Sequence, residues 1–188
     1  MSTAVNLESG RLMTAEEFGE RPDPGHPEEL VKGRVVALPP TNRRHGQICS
    51  HGVYLLRRFL ENHDLGHVLS NDAGVITQRD PDSVRGADIA FYSYERLPKG
   101  PLPQGYGPEV PELVIEVLSL SDRWPKVLQK VGEYLDAGVR VVVVLDEESR
   151  TAKVFGAEGT TRTLGAEEEL SLPQVLEGFQ VRVGRFFE

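Results

Sequence analysis

The chain is poor in cysteine and has no long hydrophobic run. Cys49 is the only cysteine in 188 residues, so no intrachain disulfide can form and a thiolate-built metal site is excluded. We therefore expect any metal to be held by oxygen and nitrogen. The longest aliphatic run, at 141–145, is far shorter than the roughly 20 apolar residues that span a bilayer. No membrane partner is expected.

Positive charge is also scarce. The chain has 21 Lys and Arg against 29 Asp and Glu, a formal net charge of −8, which argues against nucleic-acid binding by bulk electrostatics because such proteins usually carry a basic face. A local basic groove at Arg43-Arg44-His45 and Arg57-Arg58 is compatible with this charge. The first eight residues contain no basic segment followed by an apolar stretch, so a cytoplasmic location is expected.

What is present is typical of one mixed α/β domain. Hydrophobic residues make up 39% of the chain and charged residues 27%, the balance of a globular protein. We expect a single domain over 1–188, with its core at about 13–187. Two short strands around a Lys-Gly turn predict a hairpin at 29–37, and apolar residues at helical spacing predict an amphipathic helix over 46–62. Three further strands are predicted, at 66–70, 73–78 and 87–92.

The second half predicts a parallel βαβ unit. Residues 112–119 and 139–146 are strongly apolar and flank a helical pattern over 124–137, which favours two buried parallel strands with the helix as their crossover. The proline-rich segment 99–111 is predicted to be an irregular loop. The remaining elements are expected to be short strands at 153–155 and 161–164, a helical turn at 171–177 and a last strand at 181–187.

Asp88, Glu116 and a lysine are the residues of this core that can carry chemistry. Asp88 lies on one predicted strand, Glu116 on the next, and Lys126 or Lys130 on the helix that follows. Paired carboxylates on adjacent strands can hold Mg²⁺, and a nearby ammonium can position a nucleophile. This is the outline of phosphodiester hydrolysis. The same residue types also occur as turn formers and edge charges, so spacing alone does not decide.

The order of the motifs resembles a known family. The motifs are Glu29-Leu-Val-Lys-Gly33, His45, Ala87-Asp88-Ile89, Ile115-Glu116-Val117-Leu118-Ser119, Lys130-x-x-x-Tyr134 and Gly138-Val139. From about Met13 to about Phe187, the chain is similar to the Uma-two endonucleases of the PD-(D/E)XK restriction-endonuclease-like superfamily. The resemblance implies an α/β fold with a central mixed β-sheet flanked by helices, an N-terminal β-hairpin and a C-terminal β extension.

The resemblance also implies roles for individual side chains. Asp88 and Glu116 would be the metal ligands, and Lys130 would assist the attacking water. Glu29 would complete or orient the metal shell, and His45 would contact substrate or a leaving phosphate. By their charge, three more residues are candidates for substrate contact: Arg43, Arg44 and Lys126.

Three positions depart from the family pattern. Leu118 occupies the place of the lysine in a strict E-X-K motif, so the ammonium must come from the helix. Ala87 replaces the usual proline before Asp88, but that proline provides no metal ligand. Lys126 stands where the family commonly has an aspartate, which adds a second candidate lysine.

The predicted function is that of a Mg²⁺-dependent nuclease, with Mn²⁺ as a substitute, acting on nucleic acid, with DNA favoured as the substrate and the choice between DNA and RNA left open. A homodimer is expected by analogy, because cutting both strands of a duplex commonly needs two sites. Two alternatives stay open. The fold can have lost catalysis and serve as a nucleic-acid or protein binding module, or it can be a metal-dependent phosphodiesterase on a non-nucleic-acid substrate.

Overall fold

The computed structural model describes residues 11–119 and 123–188. The first ten residues, which include those used to predict that no secretory signal is present, lie outside the described residues. No helix in the described ranges is long and apolar enough to cross a membrane.

The helices are α1 (Ala15–Gly19), α2 (Arg43–Leu60) and α3 (Trp124–Asp136), with a C-terminal 3-10 helix at Val183–Phe187. The strands are β1 (Glu28–Val31), β2 (Arg34–Ala37), β3 (Gly66–Gln78), β4 (Ser83–Ser93), β5 (Leu113–Leu118), β6 (Val141–Asp146), β7 (Thr151–Gly156), β8 (Thr161–Leu164), β9 (Glu169–Leu172) and β10 (Leu176–Arg182).

One eight-stranded mixed sheet forms the centre of the fold. Its order is β2-β1-β4-β5-β6-β7-β8, with β3 paired to β4. β5 and β6 are parallel and are connected by α3, which confirms the predicted βαβ unit. β1 and β2 form the predicted N-terminal hairpin. β9 and β10 form a separate antiparallel pair near the C-terminal end of the described residues.

β4 has three neighbouring strands, and they produce a fork in the sheet. Val84 pairs with β3 and also with Leu30 of β1, whereas Ile89 pairs with β3 and also with Ile115 of β5. Because β3 follows one edge of β4 along its length, β1 and β5 must share the other edge, at opposite ends. Residues 85–88 of β4 lie in the gap between them. Backbone groups in this gap need partners other than a strand.

The two long helices cover opposite faces of the sheet. α2 packs against one face in a cluster that includes Ile48 and Leu56 and that the C-terminal 3-10 helix completes with Phe186. α3 packs against the other face through Val131 and Tyr134. Both helices were predicted from their apolar spacing, and burial of these stripes is the main force that holds them against the sheet.

α2 begins at Arg43, three residues before the predicted start. The Asn42 side chain caps the helix by accepting a hydrogen bond from the His45 N–H at 2.8 Å, which satisfies one of the free donors of the first turn. His45 therefore lies inside the helix. Cys49 follows it by four residues and lies on the same face.

Two parts of the predicted secondary structure are wrong. The segments at 66–70 and 73–78 are one strand, β3, because Asn71 and Asp72 form a bulge in it, each with positive φ, instead of a turn. The predicted helical turn at 171–177 consists of the end of β9, a turn and the start of β10, and most of 181–187 is 3-10 helix. Buried apolar residues of this region complete the α2 face of the core, and that tertiary packing overrides local preference.

The proline-rich segment 99–111 is an irregular loop, as predicted. Tyr106 anchors it, with its ring stacked on Phe18 of α1 at a centroid distance of 5.7 Å. A Cβ atom at Gly74 of β3 would lie 2.2 Å from the same ring. Glycine at this position is therefore what lets the loop lie directly against β3.

Candidate active site

The fork brings together three buried carboxylates. Asp88 lies at the end of the gap in β4, Glu116 lies on β5, and Glu29 lies on β1. The register that pairs Ile89 with Ile115 places Asp88 opposite Glu116. Asp88 and Glu116 are each 9% exposed and Glu29 is 4% exposed. Burial of three acids is costly unless cations and hydrogen bonds compensate for it.

Lys130 of α3 supplies the nearest compensating charge. Its Nζ lies 2.8 Å from Glu116 Oε2 and 3.3 Å from Glu29 Oε1, and it donates to the backbone carbonyl of Gly86 at 2.7 Å. Two hydrogen bonds, to Glu116 and to the Gly86 carbonyl, and the ion pair with Glu29 give the ammonium group three polar partners. Burial lowers the pKa of Lys130, but the Glu116 and Glu29 charges outweigh that and raise it above its ordinary value. Lys130 thus joins β1, β4 and β5 across the gap.

Tyr134, one turn after Lys130, is the second partner of Glu116. Its hydroxyl lies 2.9 Å from Glu116 Oε1 and 3.2 Å from the Gly86 carbonyl. Burial raises the pKa of Glu116 to about 7, although the Lys130 charge opposes that shift. Without a further cation, Glu116 is thus close to the balance between its two protonation states at neutral pH, and added positive charge would favour the carboxylate.

His45 holds Asp88 from the α2 side. Its Nε2 lies 3.2 Å from Asp88 Oδ2, and the Val117 N–H donates to the same oxygen at 2.7 Å. On the other side of the ring, His45 Nδ1 lies 3.5 Å from Cys49 Sγ. Burial lowers the pKa of His45, but the hydrogen bonds with Asp88 and Cys49 raise it to about 10. The imidazole is therefore protonated at neutral pH.

Arg85 fixes Glu29 at the opposite end of the gap. Its Nη1 donates to Glu29 Oε2 at 2.7 Å, while Nε and Nη2 form a bidentate pair with Glu133 of α3 at 2.5 and 2.9 Å. The Gly86 N–H donates to Glu29 Oε1 at 3.1 Å. Side chains therefore replace the missing strand partner of Gly86, and the gap is a built polar site.

A cleft of about 350 Å³ gives solvent access to the Asp88 end of this site. His45, Cys49 and Asp88 line it together with the bulge residues Asn71 and Asp72. Burial and the nearby Asp88 charge raise the pKa of Asp72. A second cleft, of about 480 Å³, lies between the end of α2 and the start of β3. This second cleft contains none of the predicted site residues, so the cleft of about 350 Å³ is the one next to the candidate active site.

The structure brings five of the predicted site residues together and separates the other three from them. The five that meet at the fork are Glu29, His45, Asp88, Glu116 and Lys130. Lys126 and Arg43 are exposed. Arg44 donates to the Phe187 carbonyl at 2.5 Å and to Gln47 at 2.9 Å, so its guanidinium links α2 to the C-terminal 3-10 helix.

Four residues of the site were not assigned to it from the sequence. Tyr134 is part of the family motif, but no role in the site was assigned to it. Arg85 lies before the strand predicted at 87–92, in residues that are in fact β4. Asp72 lies between the strands predicted at 66–70 and 73–78. Cys49 had a usable signal, since it follows His45 by one helical turn. The expectation that only oxygen and nitrogen can hold a metal was too narrow, because His45, Cys49 and Asp88 offer ligand atoms that all lie within 4.8 Å of one another.

Two donor sets at the fork can hold a metal. Asp88 and Glu116 offer carboxylate oxygens, which Mg²⁺ and Mn²⁺ prefer. A divalent cation fits this pair of carboxylates. Glu116 is buried close to the Asp88 charge, and a bound cation would stabilise its ionised form. His45, Cys49 and Asp88 form a mixed nitrogen, sulfur and oxygen set that shares Asp88 with the first. A mixed sheet with opposed carboxylates on neighbouring strands, and a lysine from the crossover helix, defines a restriction-endonuclease-like protein.

Comparison with known proteins specifies the family. The Uma2 family model, described as "putative restriction endonuclease", matches residues 15–184, so the chain belongs to the Uma2 family. The chain is also similar in structure to a protein described as a "putative nuclease belonging to DUF820" from Anabaena variabilis ATCC 29413, whose crystal structure was determined at 1.96 Å resolution. The TM-score is 0.79 at 17% identity, over 93% of this chain and 97% of the other. No curated protein matches the sequence.

The ion pair of His45 predicts a pH dependence of stability. The pKa of His45 is about 10 in the folded chain and 6.5 as the ordinary value, so its contribution is complete below about pH 6.5 and is lost as pH rises through about 10. Hydrogen bonds to charged groups contribute about 1.5–3 kcal/mol. We expect the free energy of unfolding to fall by this amount over that window, measured by urea denaturation in the presence of EDTA. In His45→Gln the fall should be smaller by the same amount. Parallel curves for the two proteins would contradict the prediction.

Proposed function

We propose that this protein is a Mg²⁺-dependent nuclease that hydrolyses phosphodiester bonds in nucleic acid, with DNA as the substrate. The observation that carries the proposal is the convergence of Asp88, Glu116 and Lys130 at one gap in the sheet. Membership of a family described as restriction endonucleases supports it independently. Asp88 and Glu116 would hold the cation, which when bound would supply Lewis-acid chemistry and neutralise charge on the phosphoryl group.

Lys130 is the group that we assign to the attacking water. Its ammonium is held by Glu116 and Glu29, so it is charged and fixed in direction. A fixed cation beside the scissile phosphate would position the nucleophile and stabilise the negative charge of the transition state. Tyr134 would orient Glu116, and Arg85 would orient Glu29. The lysine can come from a helix instead of a strand because only its head group must reach the reacting atoms.

His45 is proposed to fix Asp88 and to attract substrate phosphate to the mouth of the cleft by its positive charge. Protonated imidazole donates hydrogen bonds only, and its Nε2 already faces Asp88. Arg43 and Lys126 are exposed and would add phosphate contacts. Arg44 would instead hold the C-terminal 3-10 helix against α2 through its hydrogen bond to the Phe187 carbonyl. With few basic groups involved, affinity for nucleic acid would depend only modestly on salt. Cutting both strands of a duplex would require a homodimer or two successive encounters.

A cleavage assay tests the proposal. The purified chain is incubated with supercoiled plasmid, linear duplex, single-stranded DNA and RNA, each with Mg²⁺, Mn²⁺ or EDTA. We expect cleavage of DNA only with a divalent cation, and none above background in Glu116→Gln purified in parallel, which controls for contaminating nucleases. Equal cleavage by Glu116→Gln would overturn the assignment.

A gel-shift experiment and the hydrolysis of a small phosphodiester, together with the cleavage assay, separate the two alternatives. Leu118 in place of a strand lysine and the net charge of −8 favour an inactive binding module, which would bind nucleic acid in a gel-shift experiment without cutting it. A phosphodiesterase for another substrate would hydrolyse bis(p-nitrophenyl) phosphate and neither bind nor cut nucleic acid. Either result would replace the nuclease proposal.

A further inference from the structure

His45, Cys49 and Asp88 form a group whose chemistry differs from that of the carboxylate pair. His45 and Cys49 lie four residues apart on one face of α2, opposite Asp88 of β4. His45 Nε2 lies 3.2 Å from Asp88 Oδ2, and His45 Nδ1 lies 3.5 Å from Cys49 Sγ. Ligand atoms from all three residues lie within 4.8 Å of one another. Tetrahedral zinc, with bonds of about 2.0–2.3 Å, needs ligand atoms about 3.3–3.6 Å apart.

We propose that His45, Cys49 and Asp88 form a binding site for a zinc-class divalent cation, which competes with magnesium because both use Asp88. The types of ligand atom determine which metal ions the site binds. Thiolate and imidazole select zinc and cobalt and are poor ligands for magnesium, which demands oxygen. The competition with magnesium, unlike zinc binding itself, rests on the function proposed above.

Access and ligand number are those of an open zinc site. All three residues line the cleft of about 350 Å³, so three protein ligands would leave a fourth position to water, as in sites that exchange their metal. The imidazole ring of His45 contacts Cys49 through Nδ1 and Asp88 through Nε2. One ion can use only one of these nitrogens, so the Cys49 or Asp88 side chain must move to bring ligand atoms that lie within 4.8 Å of one another to the separation of about 3.3–3.6 Å that zinc needs.

Binding of the cation also releases protons. The thiol of Cys49 gives up its proton to form the thiolate, and the His45 imidazolium loses the proton of whichever ring nitrogen binds the cation. No oxidant or reductant takes part. Asp72, on the bulge across the cleft, adds negative charge that favours the cation without being a ligand.

Cobalt spectroscopy tests the site without reference to any substrate. Co²⁺ is titrated into the full-length chain after EDTA treatment and desalting. A thiolate-to-cobalt charge-transfer band in the near ultraviolet can arise only from Cys49, because the chain has no other cysteine. We expect this band to saturate at one ion per chain and to disappear when Zn²⁺ is added.

Matched variants decide whether the three residues act together. In Cys49→Ser the band should vanish and Zn²⁺ affinity should fall at least about tenfold, and Asp88→Asn should weaken Zn²⁺ binding similarly while keeping a weaker band. His67→Ala, on β3 and outside the cleft, controls for adventitious binding to histidine and should behave as the unmodified chain. Cobalt binding without the band, a band at one ion per two chains, or full Zn²⁺ affinity in Asp88→Asn would each overturn the site.

The two proposals fail in different ways. If the chain cuts DNA, substoichiometric Zn²⁺ should inhibit it, and Cys49→Ser should require at least about tenfold more Zn²⁺ for the same inhibition. If the chain cuts nothing, the nuclease proposal fails while the cobalt band still decides the zinc site. A chain that cuts DNA and gives no band keeps the nuclease function and loses the zinc site.

Discussion

Replacing Lys130 with methionine should lower the free energy of unfolding by about 3–5 kcal/mol, because it leaves buried acids without their cation. Glu116 and Glu29 both depend on this ammonium, at 2.8 and 3.3 Å, and methionine keeps the length of the side chain without its charge. Cleavage of DNA should fall about 10²–10³-fold, the usual loss when one group that stabilises transition-state charge is removed. Urea denaturation and initial cleavage rates measure the two effects.

Two further variants make this prediction specific. Lys126→Met changes an exposed lysine of the same helix and should alter stability by no more than about 0.5 kcal/mol. Glu116→Gln combined with Lys130→Met removes both partners and should recover part of the lost stability, since the two residues are in contact. If Lys126→Met instead abolished cleavage while Lys130→Met preserved it, the assignment of the catalytic lysine would be reversed.

Asp88→Asn should weaken Mg²⁺ binding by at least about tenfold and slow DNA cleavage by about 10²–10³-fold. Asparagine keeps the shape of the side chain and can still accept the Val117 N–H, which Asp88 now accepts at 2.7 Å. What it loses is the negative charge that a hard cation needs. Isothermal titration of Mg²⁺ and initial cleavage rates measure both losses.

Asp72→Asn is the matched control for this experiment. Asp72 lies in the same cleft as Asp88, so its replacement removes one negative charge from the same surroundings. A loss of less than tenfold in Mg²⁺ affinity is expected, because Asp72 would act only through its charge. Equal losses in the two variants would mean that general negative charge, not a specific ligand, attracts the cation.

The elements with long local patterns could be predicted from the sequence. The apolar spacing of α2 and α3 and the aliphatic run of β6 are signals carried within about 15 residues, and the βαβ unit follows from their order. Glu116 and Lys130 could be expected to meet because this unit places α3 over β5, and Asp88 could be expected beside Glu116 because their predicted strands follow one another in the chain. Their chemical roles remain predictions.

The parts that could not be predicted depend on contacts between distant segments. Arg85 meets Glu29 and Glu133 over separations of 56 and 48 residues, and no local pattern encodes such an encounter. Asn71-Asp72 has the composition of a turn, and only pairing with β4 makes it a bulge. The C-terminal region forms β-strands because its apolar residues complete the α2 face of the core, which only the assembled sheet can offer.

The place of α3 between β5 and β6 also determines when the candidate site of a newly made chain can be completed. Glu29, Asp88 and Glu116 leave the ribosome before Lys130, and β6, which pairs with β5 and shares a hydrophobic cluster with α3, leaves it after α3. Pairing between distant segments is slow relative to local structure. An unfinished chain therefore carries the acids of the site without the lysine that neutralises them. The proposed site is complete only once α3 has joined the three acids at the sheet.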